Sequence, residues 1–245
     1  MIKSLSIVFP IYNEETRLQS SFNHIVNFLK TKKNFKTQII FVDDGSEDNS
    51  LKLLQEFVKN IKKYKIKYKA TFIIVKSKKN LGKGSALKLG IKKAQCEWVL
   101  TSDIDMSVPL SQLLSWIKRK LISNKCFVYF GTRSHSKSVV KRDFFRKILG
   151  DIASFLISTI LNIEIEDTQC GFKLYKRKQG QLVFSKLINK GFDHDIEIVL
   201  ILKSKNIGIK ELPVKWTHRS NSKVNIFVDP IKMFVGLFIM RLRFF

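Results

Sequence analysis

The stretch "TQIIFVDDGSEDNSLKLLQEFVKNI", residues 37–61, decides the fold class. Its first part is an apolar, β-rich run that stops at Asp43, Asp44 and a Gly45-Ser46 turn. Its second part has apolar residues at helical spacing, with Asp48 or Asn49 placed to cap a helix. A buried strand, an acidic turn and a helix follow one another in that order.

The same order recurs on both sides. "LSIVFP" (5–10) is a short strand stopped by Pro10, and residues 14–31 put Leu18, Phe22, Ile25, Val26 and Leu29 on one helical face. "ATFIIVK" (70–76) is a third strand, followed by "GKGSALKLGIKKA" (82–94), which opens on glycines and becomes helical. "EWVLTSD" is a fourth strand and "CFVYFGTR" (126–133) a fifth. Strands separated by helices of this length predict an α/β fold with a mostly parallel central sheet and helices on both faces. No linker divides the 245 residues, so one domain is expected.

Beyond residue 140 the pattern changes. Residues 143–163 read as a long, mostly apolar helix. A helix is expected from about Asp195 and a strand near 207–216. The C-terminal "DPIKMFVGLFIMRLRFF" starts a helix at a proline and ends with interleaved basic and apolar residues. Residues 226–245 are therefore an amphipathic segment appended to a domain spanning 1–225.

The totals exclude several classes. There are 45 Lys and Arg against 20 Asp and Glu, a net charge of +25. That excess suits an anionic partner such as a membrane face, a phosphorylated substrate or nucleic acid, or it is a solvated lysine surface. No zinc-finger or RNA-recognition signature accompanies it, so a nucleic-acid-binding module is the distant alternative and no nucleic-acid partner is expected. Cys96, Cys126 and Cys170 are scattered and odd in number, which argues against a disulfide framework or a zinc site and for a reducing compartment. The start is too quickly acidic for a signal peptide. No apolar run reaches the roughly 18–20 residues of a membrane span, and the two that come partway are 152–163 and 233–240.

In open parallel sheets, ligands bind beyond the carboxyl ends of the strands. The acids collect there: Asn13-Glu14, Asp43-Asp44, and Asp103 and Asp105 in "VLTSDIDMSVPL" (99–110). Two aspartates one residue apart can turn toward one cavity. Mg2+ or Mn2+ takes one or two carboxylates together with substrate phosphates, so Asp103 and Asp105 are candidate metal ligands. Asp43 and Asp44 can accept hydrogen bonds from a nucleobase or ribose. "NLGKGSA" (80–86) lets backbone amides approach a phosphate, and Lys83 adds a cation. The spacing is not that of a P-loop.

Together "SIVFPIYNEE", "IIFVDDGSEDNS", "NLGKGSALKLGIKKA" and "DIDM" resemble the inverting family 2 glycosyltransferases of GT-A fold. "DTQCGFKLYKR" (167–177), "FDHDIEIVL" (192–200) and "HRSNSKV" (218–224) resemble the dolichyl- or polyprenyl-phosphate glucosyltransferases within them. The resemblance implies transfer of a sugar, glucose first, from a UDP-sugar to a polyprenyl or dolichyl phosphate. A saccharide or lipid-linked saccharide hydroxyl is the alternative acceptor.

The resemblance also implies roles. Pro10, Tyr12 and Glu14 line the nucleotide pocket, Asp43 contacts uracil with Asp44 beside it, and Lys83 flanks the nucleotide. Asp103 and Asp105 hold the metal and diphosphate. Arg133, Arg219, Ser222 and Lys223 hold the lipid phosphate or the leaving diphosphate, while Asp167, Gln169 and Asp195 face sugar and acceptor. Ser107 stands where many relatives have a glutamine that helps bind metal. Those glucosyltransferases usually carry an N-terminal membrane helix. Here the expected membrane contact is peripheral, on the anionic cytoplasmic face, or through a membrane-protein partner.

Overall fold

The computed structural model describes residues 2–31, 35–66, 70–123, 125–141, 157–191, 193–218 and 228–245. Strands β1 (Ser4–Ile11), β2 (Lys36–Asp43), β3 (Ala70–Lys76), β4 (Trp98–Thr101), β5 (Val128–Thr132), β7 (Lys173–Lys176) and β8 (Ile209–Pro213) form one sheet. Its order is β3-β2-β1-β4-β7-β5-β8, and β6 (Val139–Lys141) pairs with β9 (Lys215–Thr217) in a small second sheet. The α/β fold and the mostly parallel sheet are as the strand-helix alternation predicts. β1–β2, β2–β3, β1–β4 and β5–β8 are parallel.

The exception is β7, antiparallel to both β4 and β5. Its sequence, Lys-Leu-Tyr-Lys, carries two charges in four residues and does not read as a central strand. It is tolerated because Lys173, 1% exposed, is ion-paired with Asp195. The reversal matters: it keeps β5 parallel to β4, and it brings the chain entering β7 to the edge where β1, β2, β4 and β5 end.

The helices are α1 (Glu15–Lys30), α2 (Ser50–Lys59), α3 (Lys83–Lys93), α4 (Ser111–Lys118), α5 (Arg177–Lys186), α6 (His194–Ser204) and α7 (Val228–Phe244). α4 and α5 have no counterpart among the helices read from the sequence. Of the expected helix over 143–163, only residues 157–163 are among those described, and 157–161 are helical.

Alternation along the strands builds two cores. Ile7 and Phe9 of β1 face one side with Leu18 and Phe22 of α1, Phe57 of α2 and Trp116 of α4. Val8 faces the other with Leu87 and Ile91 of α3, Phe184 of α5 and Ile196 of α6. Leu237 and Met240 of α7 belong to this second core. Stacked rings of Phe22 and Phe57, 4.1 Å between centroids, tie α1 to α2 over Phe41.

Candidate active site

Parallel pairing sets Asp43 opposite Ile11 at the ends of β2 and β1. The two neighbouring aspartates have different surroundings. Asp43 is fully buried, and neither carboxylate oxygen has a hydrogen-bond partner among the described residues. A buried carboxylate with no donor is costly unless a ligand supplies one. Asp44 instead accepts from the backbone N–H groups of Leu81 and Gly82, at 3.1 and 2.7 Å. Burial raises its pKa above the usual carboxylate value against these hydrogen bonds. Asp44 thus fixes the glycine loop, while both oxygens of Asp43 are left without a donor among the described residues.

The loop is also wedged from its far side. Gly82 has a φ of +94°, and a side chain there would meet the carbonyl of Lys190. Gly84 donates from its backbone N–H to that carbonyl at 2.8 Å. A Cβ on Gly84 would lie 2.6 Å from the Asn189 carbonyl oxygen. These contacts require glycine at both positions.

Lys83 opens α3 and pairs with Asp103 Oδ1 at 2.6 Å. Burial alone would lower its pKa, but Asp103, Asp195 and Asp105 outweigh burial and keep the ammonium charged. Asp105 is oriented by Ser107, whose backbone N–H and hydroxyl donate to its two oxygens at 2.8 and 2.9 Å. In sequence Ser107 stands only where many relatives have a metal-binding glutamine. In the structure it holds the carboxylate of Asp105.

Gly171 lies against Asp103, and an added Cβ would overlap its carboxylate. Gly171→Ala is therefore expected to displace Asp103 and cut kcat by about 10²-fold, the scale of a misplacement near 1 Å. Thermal unfolding should change little. Steady-state kinetics with a folded protein checks this, and a fully active variant refutes the constraint.

Arg133 follows β5. Its backbone N–H and Nε donate to Asp167 Oδ2 at 2.9 and 2.7 Å, and Nη2 donates to Oδ1 at 2.7 Å. Burial opposes ionisation of Asp167, but this guanidinium outweighs burial and holds its pKa below the carboxylate norm. Glu211, on β8, accepts from the N–H groups of Glu166 and Asp167 at 3.2 Å each. The Arg133 guanidinium lies 5.7 Å from the Trp216 ring centroid, and Trp216 leads through His218 into residues 219–227. Arg219, Ser222 and Lys223 lie outside the described residues.

Asp195 sits in the first turn of α6, ion-paired with Lys173. His194 Nδ1 is 2.7 Å from the Gly191 carbonyl, and its Nε2 is 3.3 Å from Asp195 Oδ1 without hydrogen-bond geometry. Burial lowers the His194 pKa, so the ring is assigned neutral with its proton on Nδ1. Lys173 was missed in sequence because its partner is distant in the chain. Three acid–base pairs, Asp167–Arg133, Asp103–Lys83 and Asp195–Lys173, thus share one electrostatic field.

The remaining expected residues flank this centre. Pro10 is at the end of β1, and Tyr12 and Glu14 follow it. Asn13 has a φ of 52°, and its backbone N–H donates to Ser46 Oγ at 3.0 Å. Glu14 pairs with Arg17 at 3.2 Å, and Gln169 is exposed in the loop before β7. Cys170 is buried, which raises its pKa to about 12 and makes it unreactive.

Among the described residues no cluster of three or more His, Cys, Asp or Glu is arranged to hold a metal. The donor chemistry still fits a hard divalent cation that takes two carboxylates and completes its shell with substrate phosphate and water. Asp103 and Asp105 are the two carboxylates that would hold it, and Gly171 leaves room at Asp103.

The model of glycosyl transferase family 2 matches residues 6–180. The chain belongs to that family and is a glycosyltransferase of GT-A-like fold. Within it, the chain is similar to dolichyl-phosphate β-glucosyltransferases. It is 33% identical to that of Dictyostelium discoideum over 98% of this chain and 74% of the relative. Identity is 32% with the Saccharomyces cerevisiae protein, over 98% of this chain and 75% of the relative. It is 30% with the human one, over 99% of this chain and 76% of the relative.

Solved structures agree on the fold. A mannosyltransferase from Pyrobaculum calidifontis, in complex with GDP-Man and Mn2+, superposes with a TM-score of 0.64. It is 16% identical, covering 98% of this chain and 64% of that one. Mannosyl-3-phosphoglycerate synthase from Rubrobacter xylanophilus gives 0.63 at 16% identity, covering 99% of this chain and 74% of that one.

Proposed function

We propose that the chain transfers a sugar, glucose by preference, from a UDP-sugar to a polyprenyl or dolichyl phosphate with inversion at the anomeric carbon. One observation carries the choice of acceptor. Three carboxylates that a hydroxyl acceptor could use as a base are each already held by a cation: Asp167 by Arg133, Asp195 by Lys173 and Glu197 by Arg243. Burial would raise the pKa of Asp195, but the ammonium groups of Lys173 and Lys83 outweigh it and keep it low, as Arg133 does for Asp167. Such groups are weak bases for a hydroxyl acceptor. A phosphate monoester, with a second pKa of about 6, needs no base.

The chain's residues then bind and orient. Asp43 takes the base of the nucleotide, and Asp44 holds the glycine loop beside the diphosphate. Asp103 and Asp105 hold Mg2+ or Mn2+, which when bound neutralises charge on the leaving diphosphate. Lys83 contributes a fixed positive charge at the same place. Asp167 occupies the Nε–Nη2 edge of Arg133, leaving the Nη1 side for an anion. Arg219, Ser222 and Lys223 are the further acceptor-phosphate ligands. An acceptor phosphate oxygen bonds to the anomeric carbon from the face opposite UDP, and the C–O bond to the β-phosphate breaks with its electron pair leaving on UDP.

The test is a screen of nucleotide sugars with Mg2+ or Mn2+ and a short polyprenyl phosphate, read by mass spectrometry. A polyprenyl-phosphate hexose from UDP-glucose is the expected product. Product from a saccharide acceptor with none from polyprenyl phosphate overturns the proposal.

A further inference from the structure

Helix α7 has two unlike faces. Leu237 and Met240 are buried in the second core, and Phe244 packs beside them. Phe238, Ile239, Leu242 and Phe245 are 51%, 60%, 87% and 59% exposed. At about 100° per residue these four side chains form one outward arc. Arg241 falls on one border of the arc and Arg243 on the other. From Leu237 to Phe245 the helix carries no acid.

The borders are built into the domain. Arg241 Nη1 donates to the Ile160 carbonyl at 2.8 Å, and its guanidinium lies 4.7 Å from the Phe245 ring centroid. Lys203 Nζ donates to the Asn162 carbonyl at 2.6 Å and lies 5.6 Å from the same ring. Arg243 Nη1 donates to Glu197 Oε1 at 2.5 Å. Glu197, fully buried, also accepts from the N–H groups of Ile188 and Asn189. Ile188 itself is 62% exposed.

We propose that this face of α7 docks in the plane of an anionic lipid bilayer. Four apolar side chains would enter the headgroup boundary, with Arg241 and Lys203 at the phosphate level. The occupant is identified by charge complementarity. A continuous apolar arc, bordered by arginines on a chain of net charge +25, matches an apolar layer under an anionic surface. No described helix is long and apolar enough to cross a membrane, which agrees with an in-plane pose for this one. The inference deepens the lipid-phosphate reading above, since that acceptor resides in such a surface.

The experiment is co-sedimentation of the full chain with phosphatidylcholine vesicles, with and without phosphatidylserine. Binding is expected with phosphatidylserine and much less without it. Leu242→Glu should weaken it by about tenfold or more, and Phe238→Ser by less. Leu242 is so exposed that its replacement spares folding, which circular dichroism checks. Vesicle binding by both variants equal to that of the wild type overturns the inference. So does a dimer that Leu242→Glu dissociates while vesicles remain unbound, which makes the occupant a second copy. Turnover on a short, water-soluble polyprenyl phosphate separates this from the function. Turnover without vesicle binding defeats only the docking surface. Vesicle binding that requires Leu242, without turnover, leaves the surface standing and defeats the acceptor.

Discussion

Asp103→Ala and Asp105→Ala are each expected to lower kcat by about 10³-fold or more while leaving the fold intact. Both carboxylates lie at the end of β4, outside the two apolar cores, so their removal creates no cavity. The consequences should differ in kind. Asp103→Ala also removes the partner that holds Lys83 at 2.6 Å, which frees that ammonium to bind diphosphate. UDP affinity without added metal should therefore stay level or rise in Asp103→Ala. In Asp105→Ala, Lys83 keeps its partner and metal-dependent UDP binding should weaken. Titration calorimetry of UDP with and without Mn2+, beside kcat, reads both. Wild-type turnover in either variant would remove these residues from the reaction.

The second large effect is on stability. Lys173→Ala should destabilise the fold by about 3–5 kcal/mol, because it strands the buried Asp195 carboxylate without its ion-pair partner. At roughly 2–4 °C per kcal/mol for a domain of this size, the midpoint should fall by about 10 °C. The pH dependence has a definite sign. Asp195 is held below the usual carboxylate range, so its contribution is present above the unfolded pKa of about 3.9 and is lost as pH falls through the folded value. The gap between wild type and Lys173→Ala should be wide near neutral pH and close in acid. A double replacement of Lys173 and Asp195 by apolar residues of similar size should recover much of the midpoint. A shift under about 1 kcal/mol for Lys173→Ala would mean that water or another cation serves Asp195 instead.

The parts of this fold legible in sequence are those that write themselves in short-range pattern. β1 to β5 are apolar runs, each ending in polar turn residues, and pattern plus chain order suffices to place Asp43, Lys83, Asp103 and Asp105 at one edge. The antiparallel β7 was not legible, because a lysine inside a sheet is permissible only when an acid from another element meets it. The acid that meets Lys173 is Asp195, 22 residues later. Arg133 and Asp167 likewise lie 34 residues apart, and no periodicity links them. The division of labour between Asp43 and Asp44 turns on which one faces the glycine loop. That depends on the β2 register and the path of residues 77–82, neither of which a D-D-G-S turn specifies.

The three internal ion pairs separate capture from selection. A surface with a large positive excess draws any anion toward it and speeds encounter without discrimination. At the site, each of these three cations already has its own carboxylate, and Asp43 and Asp105 add negative charge, so none of the three presents uncompensated positive charge. An arriving anion gains a place there only by offering a better geometry than Asp103 or Asp167 already provides. Inorganic phosphate and bare nucleotides are gathered at the mouth as readily as the donor is. The contest with the resident carboxylates decides which of them stays.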